Sequence, residues 1–380
     1  MFLSILFWWF DGFCGRFCRG LAVIEDYVDS LRDLDGLVMN SGFIDGGYDS
    51  SIRLSRSVFV LTGCGLGIVD GKYGGFYGVL SDRPLIHASN YYVFEDTPLL
   101  IMQTLEFMVA YEVLRSLDVD LLFMDGAYHI SAMYARTSRY YRDFLYSEIL
   151  NELIRDVLCP CFNERGPSEL PMSEVDDVVE RWCSKSGFDE LGDQPYPIAY
   201  HVAWDKIRLH MLLRLLKAAE EHDVGVFWLA KEYHSSVLSR YLGYQWISDL
   251  ALLTEGLSMS SSIYVPVHRV VGRDEGFKLH DVAKDFPEEY ASWDLVYFKV
   301  HRYSPVLCLT YPSAHRDLLE CALGTLYTLS HGKGYPEPMI IVHSKSTVSR
   351  GIAGLIADKL YEKSGDVSLA KTARDAMGLR

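Results

Sequence analysis

The apolar positions of this chain fall into two rhythms. From Val58 the sequence reads VFVLTGCGLGIVDG, rich in β-branched residues and glycine, which predicts a buried strand. GFYGVL and LIHASNYYVF follow, parted by the turn-forming SDRP, so three successive strands are expected. The period then changes. Pro98 suits a first helical turn behind Asp96 or Thr97 as cap, and LLIMQTLEFMVAYEVLRSL predicts a helix over about 98–117. VDLLFMDG predicts a buried strand that stops at Asp125-Gly126. Helices are expected over about 138–158 and 202–221, the latter followed by the strand VGVFWLAK. YFKVH and PVLCLTY read as a strand pair, 317–329 as a helix and 348–363 as a terminal helix. The apolar run in GYPEPMIIVHSKS reads as one more strand, ending at His343.

Two stretches break these rhythms. Residues 1–56 read as a mostly helical docking region, with apolar and acidic residues at near-helical spacing between Gly20 and Leu37. It opens on MFLSILFWWF, too short to cross a bilayer, which takes about 20 residues. That segment has no basic flank and meets Asp11 at once, so it is expected to dock on the body or on a second subunit. Residues 159–197, with CPCFNERGPSELP and GDQPYP, read as an insertion into a main domain of 57–380.

Composition narrows the class. The chain has 380 residues, 49% of them hydrophobic, enough for a large core in one enlarged α/β domain. Its net charge of −15 argues against a protein that coats duplex DNA over its whole surface, while leaving room for a local basic channel. Eight cysteines are too sparse for a disulfide scaffold, and no pair of pairs has zinc-finger spacing. A soluble cytoplasmic protein without membrane attachment is expected.

The candidate chemistry lies in carboxylates. Two strands end in Asp-Gly, at Asp70 and at Asp125. Each pair is either a plain turn or a strand-end carboxylate facing a cleft. Glu106 stands between them on the long helix, flanked by Leu105, Phe107, Met108 and Val109; if it is buried it needs a partner, and otherwise it lies on a polar stripe with Gln103. Strand with terminal Asp, two strands, helix with Glu, strand with terminal Asp is the order of RNase H-like nucleases. In that fold the first and fourth strands are neighbours and the three carboxylates converge on Mg2+ or Mn2+. Lys231 follows an apolar strand and could meet a phosphate, or be an ordinary surface lysine. GCGLG at 63–67 lacks the glycine spacing of a dinucleotide loop and leads into a strand, and Gly71-Lys72 is not a Walker A loop.

VDGKYG, LEFMVAYEVL, LLFMDGAYH, LAKEYHSS, SDLALL, YFKVHRYSP and GYPEPMIIVHSKSTVSRGIA occur in one order between about 58 and 360. In this series the chain resembles the NurA family of DNA-end-processing nucleases. The resemblance implies an RNase H-like mixed sheet flanked by helices. It implies a manganese-dependent deoxyribonuclease with single-stranded endonuclease and 5′-to-3′ exonuclease activity. It implies a homodimer that encloses DNA and works with a HerA-type hexameric ATPase in end resection and repair. By the same resemblance Asp70, Glu106, Asp125 and His343 correspond to metal ligands, and Lys231 to a basic catalytic position. A lining of Arg136, Arg139, Lys231, His301 and Arg302 would then serve the DNA. The competing expectations are a NurA-like subunit that binds DNA or an ATPase without cutting, and a different RNase H-like phosphotransferase.

Overall fold

Phe43 and Ile44, followed by Asp45 and two glycines, begin the first long strand of the fold. The computed structural model describes residues 27–371 except 79–84, 90–92, 140–146, 159–169, 171, 187–194, 232, 234, 258–259, 281–285 and 331–332. The apolar segment 1–10 and most of the expected insertion therefore lie outside the described residues. After a short β1 (Asp29–Ser30), β2 (Ser41–Ile52) and β3 (Ser57–Val69) pair antiparallel along their whole length, from Ser41 opposite Ile68 to Ile52 opposite Ser57. Residues 41–52 thus form a strand where the sequence pattern predicts part of a helical lead-in.

β3 turns into β4 (Lys72–Tyr77) through Asp70-Gly71, and both residues have positive φ, 52° and 70°. That is the geometry of a two-residue type I′ hairpin, which Asp-Gly favours. β5 (Leu85–Ser89) also pairs with β3. The helix α1 (Thr97–Ser116), with Pro98 in its first turn, packs across β2 and β3. Carbons added at Gly63 and Gly65 would stand 3.1 Å from Leu105 and 2.6 Å from Val113. The glycines of GCGLG are therefore a smooth floor under α1. By length and composition α1 could cross a membrane, but 72% of its apolar window is buried inside the protein, as befits a core helix.

β6 (Leu121–Asp125) returns parallel to β2, with Ile44 opposite Met124. The chain then forms α2 (Tyr128–Ala132), α3 (Met172–Ser186) and the long α4 (Pro195–Glu221). Both α3 and the start of α4 fall in the stretch expected as an insertion. β7 (Gly225–Ala230) lies parallel to β6. β8 (Ile263–Pro266), β9 (Phe277–Lys278), β10 (Ser292–Lys299) and β11 (Leu307–Pro312) complete one mixed sheet in the order β1-β8-β10-β11-β7-β6-β2-β3-β4, with β9 beside β10. β10 and β11 are the expected antiparallel pair.

The sheet is buried on both faces. Leu105, Val109, Trp182, Trp204 and Trp228 belong to the core under α1, α3 and α4. Phe43, Phe123, Phe227 and Leu309 face the other way, toward α5 (Leu319–Leu329) and α6 (Glu337–Ser346). The helix α7 (Ile352–Ser364) seals the far end of the β2–β3 ribbon through Ala357 on Val58. α6 is where the sequence pattern predicts a strand ending at His343. Pro336 caps it and Pro338 sits in its first turn, where a missing N–H costs nothing.

Candidate metal centre

Register brings two aspartates together. β2 and β6 are parallel and Ile44 pairs with Met124, so the next residues, Asp45 within β2 and Asp125 at the C-terminal end of β6, stand side by side on neighbouring strands. Strand alternation points both to the face shared with Phe43 and Phe123, under α6. There His343, in the last turn of α6, donates from Nδ1 to Asp45 Oδ2 at 2.7 Å. Ligand atoms of Asp45, Asp125 and His343 all lie within 4.8 Å of one another.

Two successive glycines make this convergence possible. A carbon at Gly46 would stand 2.8 Å from Cγ and Oε1 of Glu106, which arrives from α1 on the opposite face of the sheet. A carbon at Gly47 would stand 2.1 Å from the Ser346 carbonyl, where the end of α6 settles on β2. Thr62 Oγ1 donates to the same carbonyl and fastens α6 to β3. Asp45-Gly46-Gly47 thus presents a carboxylate while leaving room for Glu106 on one side and for the His343 helix on the other.

The electrostatics are strained in one direction. Asp45 is buried, and burial followed by the nearby Asp125 carboxylate pushes it up to about 6, against the opposing pull of His343 and Lys231. Glu106 is buried too; burial, then Asp45 and Asp125, raise it well above the ordinary carboxylate range. Lys231, just beyond the end of β7, places Nζ 3.7 Å from Asp125 Oδ2 and 5.2 Å from the ring centre of Tyr335. The Tyr335 hydroxyl is buried without a hydrogen-bond partner among the described residues, and burial with the charges of Asp125 and Asp45 raises its pKa. Two aspartates and one imidazole, with a half-exposed lysine beside them and the buried Glu106 on the other face, crowd carboxyl groups together with little compensating positive charge. Oxygen and imidazole donors so placed fit a divalent cation such as manganese.

The residues singled out by sequence divide as follows. Asp125 and His343 cluster with Asp45, Lys231 lies against Asp125, and Glu106 approaches Asp45 from the other face of the sheet. Asp70 does not join them. It occupies the β3–β4 hairpin beside the start of β2, where its N–H donates to Asn40 Oδ1 at 2.9 Å, while Asp45 lies further along β2 opposite Cys64. In the cluster its expected place is taken by Asp45, because β2, not β3, is the neighbour of β6. The signal for Asp45 was present in the sequence, an Asp-Gly after Phe43-Ile44, but short and embedded in glycine. Asp249 lies apart from the site, fully buried at the start of a helix and accepting from Leu238 N, Ser239 N and the Tyr297 hydroxyl. Behind Asp125 the chain is tied down: Tyr128 N donates to Thr310 Oγ1 at 2.8 Å, and the buried Arg208 donates to the Ser131 and Met133 carbonyls. Of the other expected basic residues, Arg136 is exposed on a short helix, the side chain of Arg139 lies outside the described residues, and His301 and Arg302 lie in the β10–β11 turn.

Fold and site together define an α/β protein with a carboxylate–imidazole centre on adjacent parallel strands. A NurA domain model matches residues 41–348, most of the chain, and the protein belongs to the NurA family. A solved structure described as NurA is 17% identical with a TM-score of 0.62, covering 88% of this chain and 90% of its own. NurA with manganese is 16% identical with a TM-score of 0.60, covering 93% of this chain and 98% of its own. The NurA nuclease from Sulfolobus solfataricus is 13% identical with a TM-score of 0.53, covering 93% and 94%. A further similar structure is NurA bound to dAMP and manganese, 16% identical with a TM-score of 0.57 over 87% of this chain and 90% of its own. No curated protein sequence matches the chain.

Proposed function

We propose that the protein is a metal-dependent DNA nuclease whose cation is held by Asp45, Asp125 and His343, with Glu106 beside them. The observation that carries this reading is the clustering of Asp45, Asp125 and His343, with the buried Glu106 close enough from the other face of the sheet to feel both aspartates. The strand order β4-β3-β2-β6-β7, with carboxylates on the central parallel pair, supports an RNase H-like description. Manganese in two similar structures, one with dAMP, supports manganese as the cation and a nucleotide as the ligand.

A divalent cation bound there would supply Lewis-acid polarisation of the scissile phosphate. Asp45 and Asp125 supply its hard oxygen donors, and the bond from His343 to Asp45 fixes both side chains. Glu106 adds a carboxylate from the second face. Lys231, aimed at Asp125, stands where a point charge can meet a phosphate oxygen and the charge developing on it. The substrate would be single strands and DNA ends, cut in end resection by a homodimer working with a HerA-type ATPase; family membership supports that part of the reading. The test is a cleavage assay on single-stranded DNA with and without manganese. Degradation that depends on the metal and disappears in Asp125→Ala, with the fold retained, is the expected result. An intact substrate beside an active NurA nuclease in the same assay would overturn the reading.

A further inference from the structure

An aromatic ring paired with a basic side chain stands on each side of the metal centre. On the β4 side, Phe76 is 43% exposed and Lys345, two residues beyond His343, places Nζ 5.8 Å from its ring centre. Phe76 pairs with Leu66, whose side chain faces α6, so the ring lies on the same face of the sheet as Asp45 and Asp125. β4 is two strands from β2, roughly 10 Å at ordinary strand spacing. On the β11 side, the β10–β11 turn carries Tyr303, 85% exposed, with the Arg302 guanidinium 5.6 Å from its ring centre. That turn rests on Gly334: a carbon there would stand 2.5 Å from Ser304 Cβ and 3.2 Å from His301 Nε2. Gly334 precedes Tyr335, the ring against Lys231. The order across the sheet edge is therefore Phe76 with Lys345, the metal centre, Lys231 with Tyr335, then Tyr303 with Arg302.

Cation–π pairs are common in proteins, and these two are set apart by their exposed rings flanking the carboxylate–imidazole cluster. Unpaired nucleotides match that arrangement: each base offers a π-face and each linkage a phosphate. A duplex hides its base faces in the stack and cannot use such rings. Resting on the nuclease reading above, we propose that Phe76 and Tyr303 are stacking platforms for unpaired nucleobases on either side of the scissile phosphate, so that the strand engaged at this centre is single-stranded. Lys345, Lys231 and Arg302 follow its backbone. The rings select for unpaired strands and the metal centre cuts.

Binding in EDTA separates this proposal from catalysis. The full-length protein is titrated into a fluorescent 12-nucleotide oligothymidylate and into an abasic strand of the same length. Phe76→Ala and Tyr303→Ala are each expected to weaken binding to oligothymidylate about tenfold, in line with one lost base stack, and to leave abasic binding within about twofold. Tyr303→Trp is expected to keep the preference for bases, and thermal melts of all three variants report their folding. Unchanged oligothymidylate binding in both alanine variants, or equal losses on the two strands, would overturn the proposal. If the wild type prefers bases through these rings yet cuts nothing with manganese, the nuclease reading fails and the platforms stand. If it cuts single strands while the variants bind like the wild type, the platforms fail and the nuclease reading stands.

Discussion

Asp45 and Asp70 are each followed by glycine, yet the two dipeptides do different work. Asp70-Gly71 has positive φ at both residues and closes a hairpin. Asp45-Gly46 stays in strand geometry and delivers a carboxylate beside Asp125. Asp45→Asn and Asp125→Asn are therefore expected to lower manganese affinity and cleavage on the order of a hundredfold or more, since each removes a hard charged donor. Asp70→Asn, an exposed change, should leave both within about twofold. Calorimetric titration with manganese and a single-strand cleavage assay check the contrast. A second prediction concerns His129, half-buried against Trp293 at 4.2 Å between ring centres and bonded to the Tyr233 hydroxyl. Burial lowers its pKa from 6.5 to about 4, so the native state holds it neutral while the unfolded chain protonates it. Its contribution is complete above pH 6.5 and is lost as pH falls toward 4, on the order of 3 kcal/mol. Denaturant titrations across that window should show stability falling with pH, with a shallower slope in His129→Phe. Equal slopes in the two proteins would refute the assignment.

Among the elements, those that bury a regular pattern are legible in the sequence. β3, α1, β6 and β7 show it in VFVLTGCGLGIV, LLIMQTLEFMVAYEV, LLFMD and GVFWLA, where apolar or β-branched residues match what the core requires. β2 is illegible for the reason that makes it functional. Its middle is Asp45-Gly46-Gly47, where packing against Glu106 and Ser346 forbids side chains, so strand propensity is low where geometry is most demanding. α6 hides because Met339, Ile340, Ile341 and Val342 form an unbroken apolar run, which does not distinguish strand from buried helix. Hence Glu106, Asp125, Lys231 and His343 are visible as candidates before the fold is known, while Asp45 needs strand register to find it. Gly46→Ala and Gly47→Ala test this packing. Each should cost about 1–3 kcal/mol of stability by overpacking. Gly47→Ala, meeting a backbone carbonyl, should also displace α6 and weaken manganese binding more than its stability loss alone explains. Chemical denaturation beside metal titration separates the two effects. Stability and metal affinity equal to the wild type would show that the two glycines are not needed for close approach.

On the scale of the molecule, a net charge of −15 and the nucleic-acid substrate proposed above are reconciled by placement. Lys231, Lys345 and Arg302 gather along one edge of the sheet, where they lie beside aromatic rings and a carboxylate centre. A single mixed sheet carries that edge from β4 across to the β10–β11 turn, so the site depends on strand order more than on any local motif. This is why the ordered set of sequence pieces points to the family, while the first aspartate of the site is assigned only when β2 is placed beside β6. The central claim is that Asp45, Asp125 and His343 hold one divalent cation. Diffraction from manganese-soaked crystals at the manganese absorption edge tests it directly. The expected result is an anomalous peak bonded to Asp45, Asp125 and His343, with none at Asp70. A peak at Asp70, or none among the three, would contradict it.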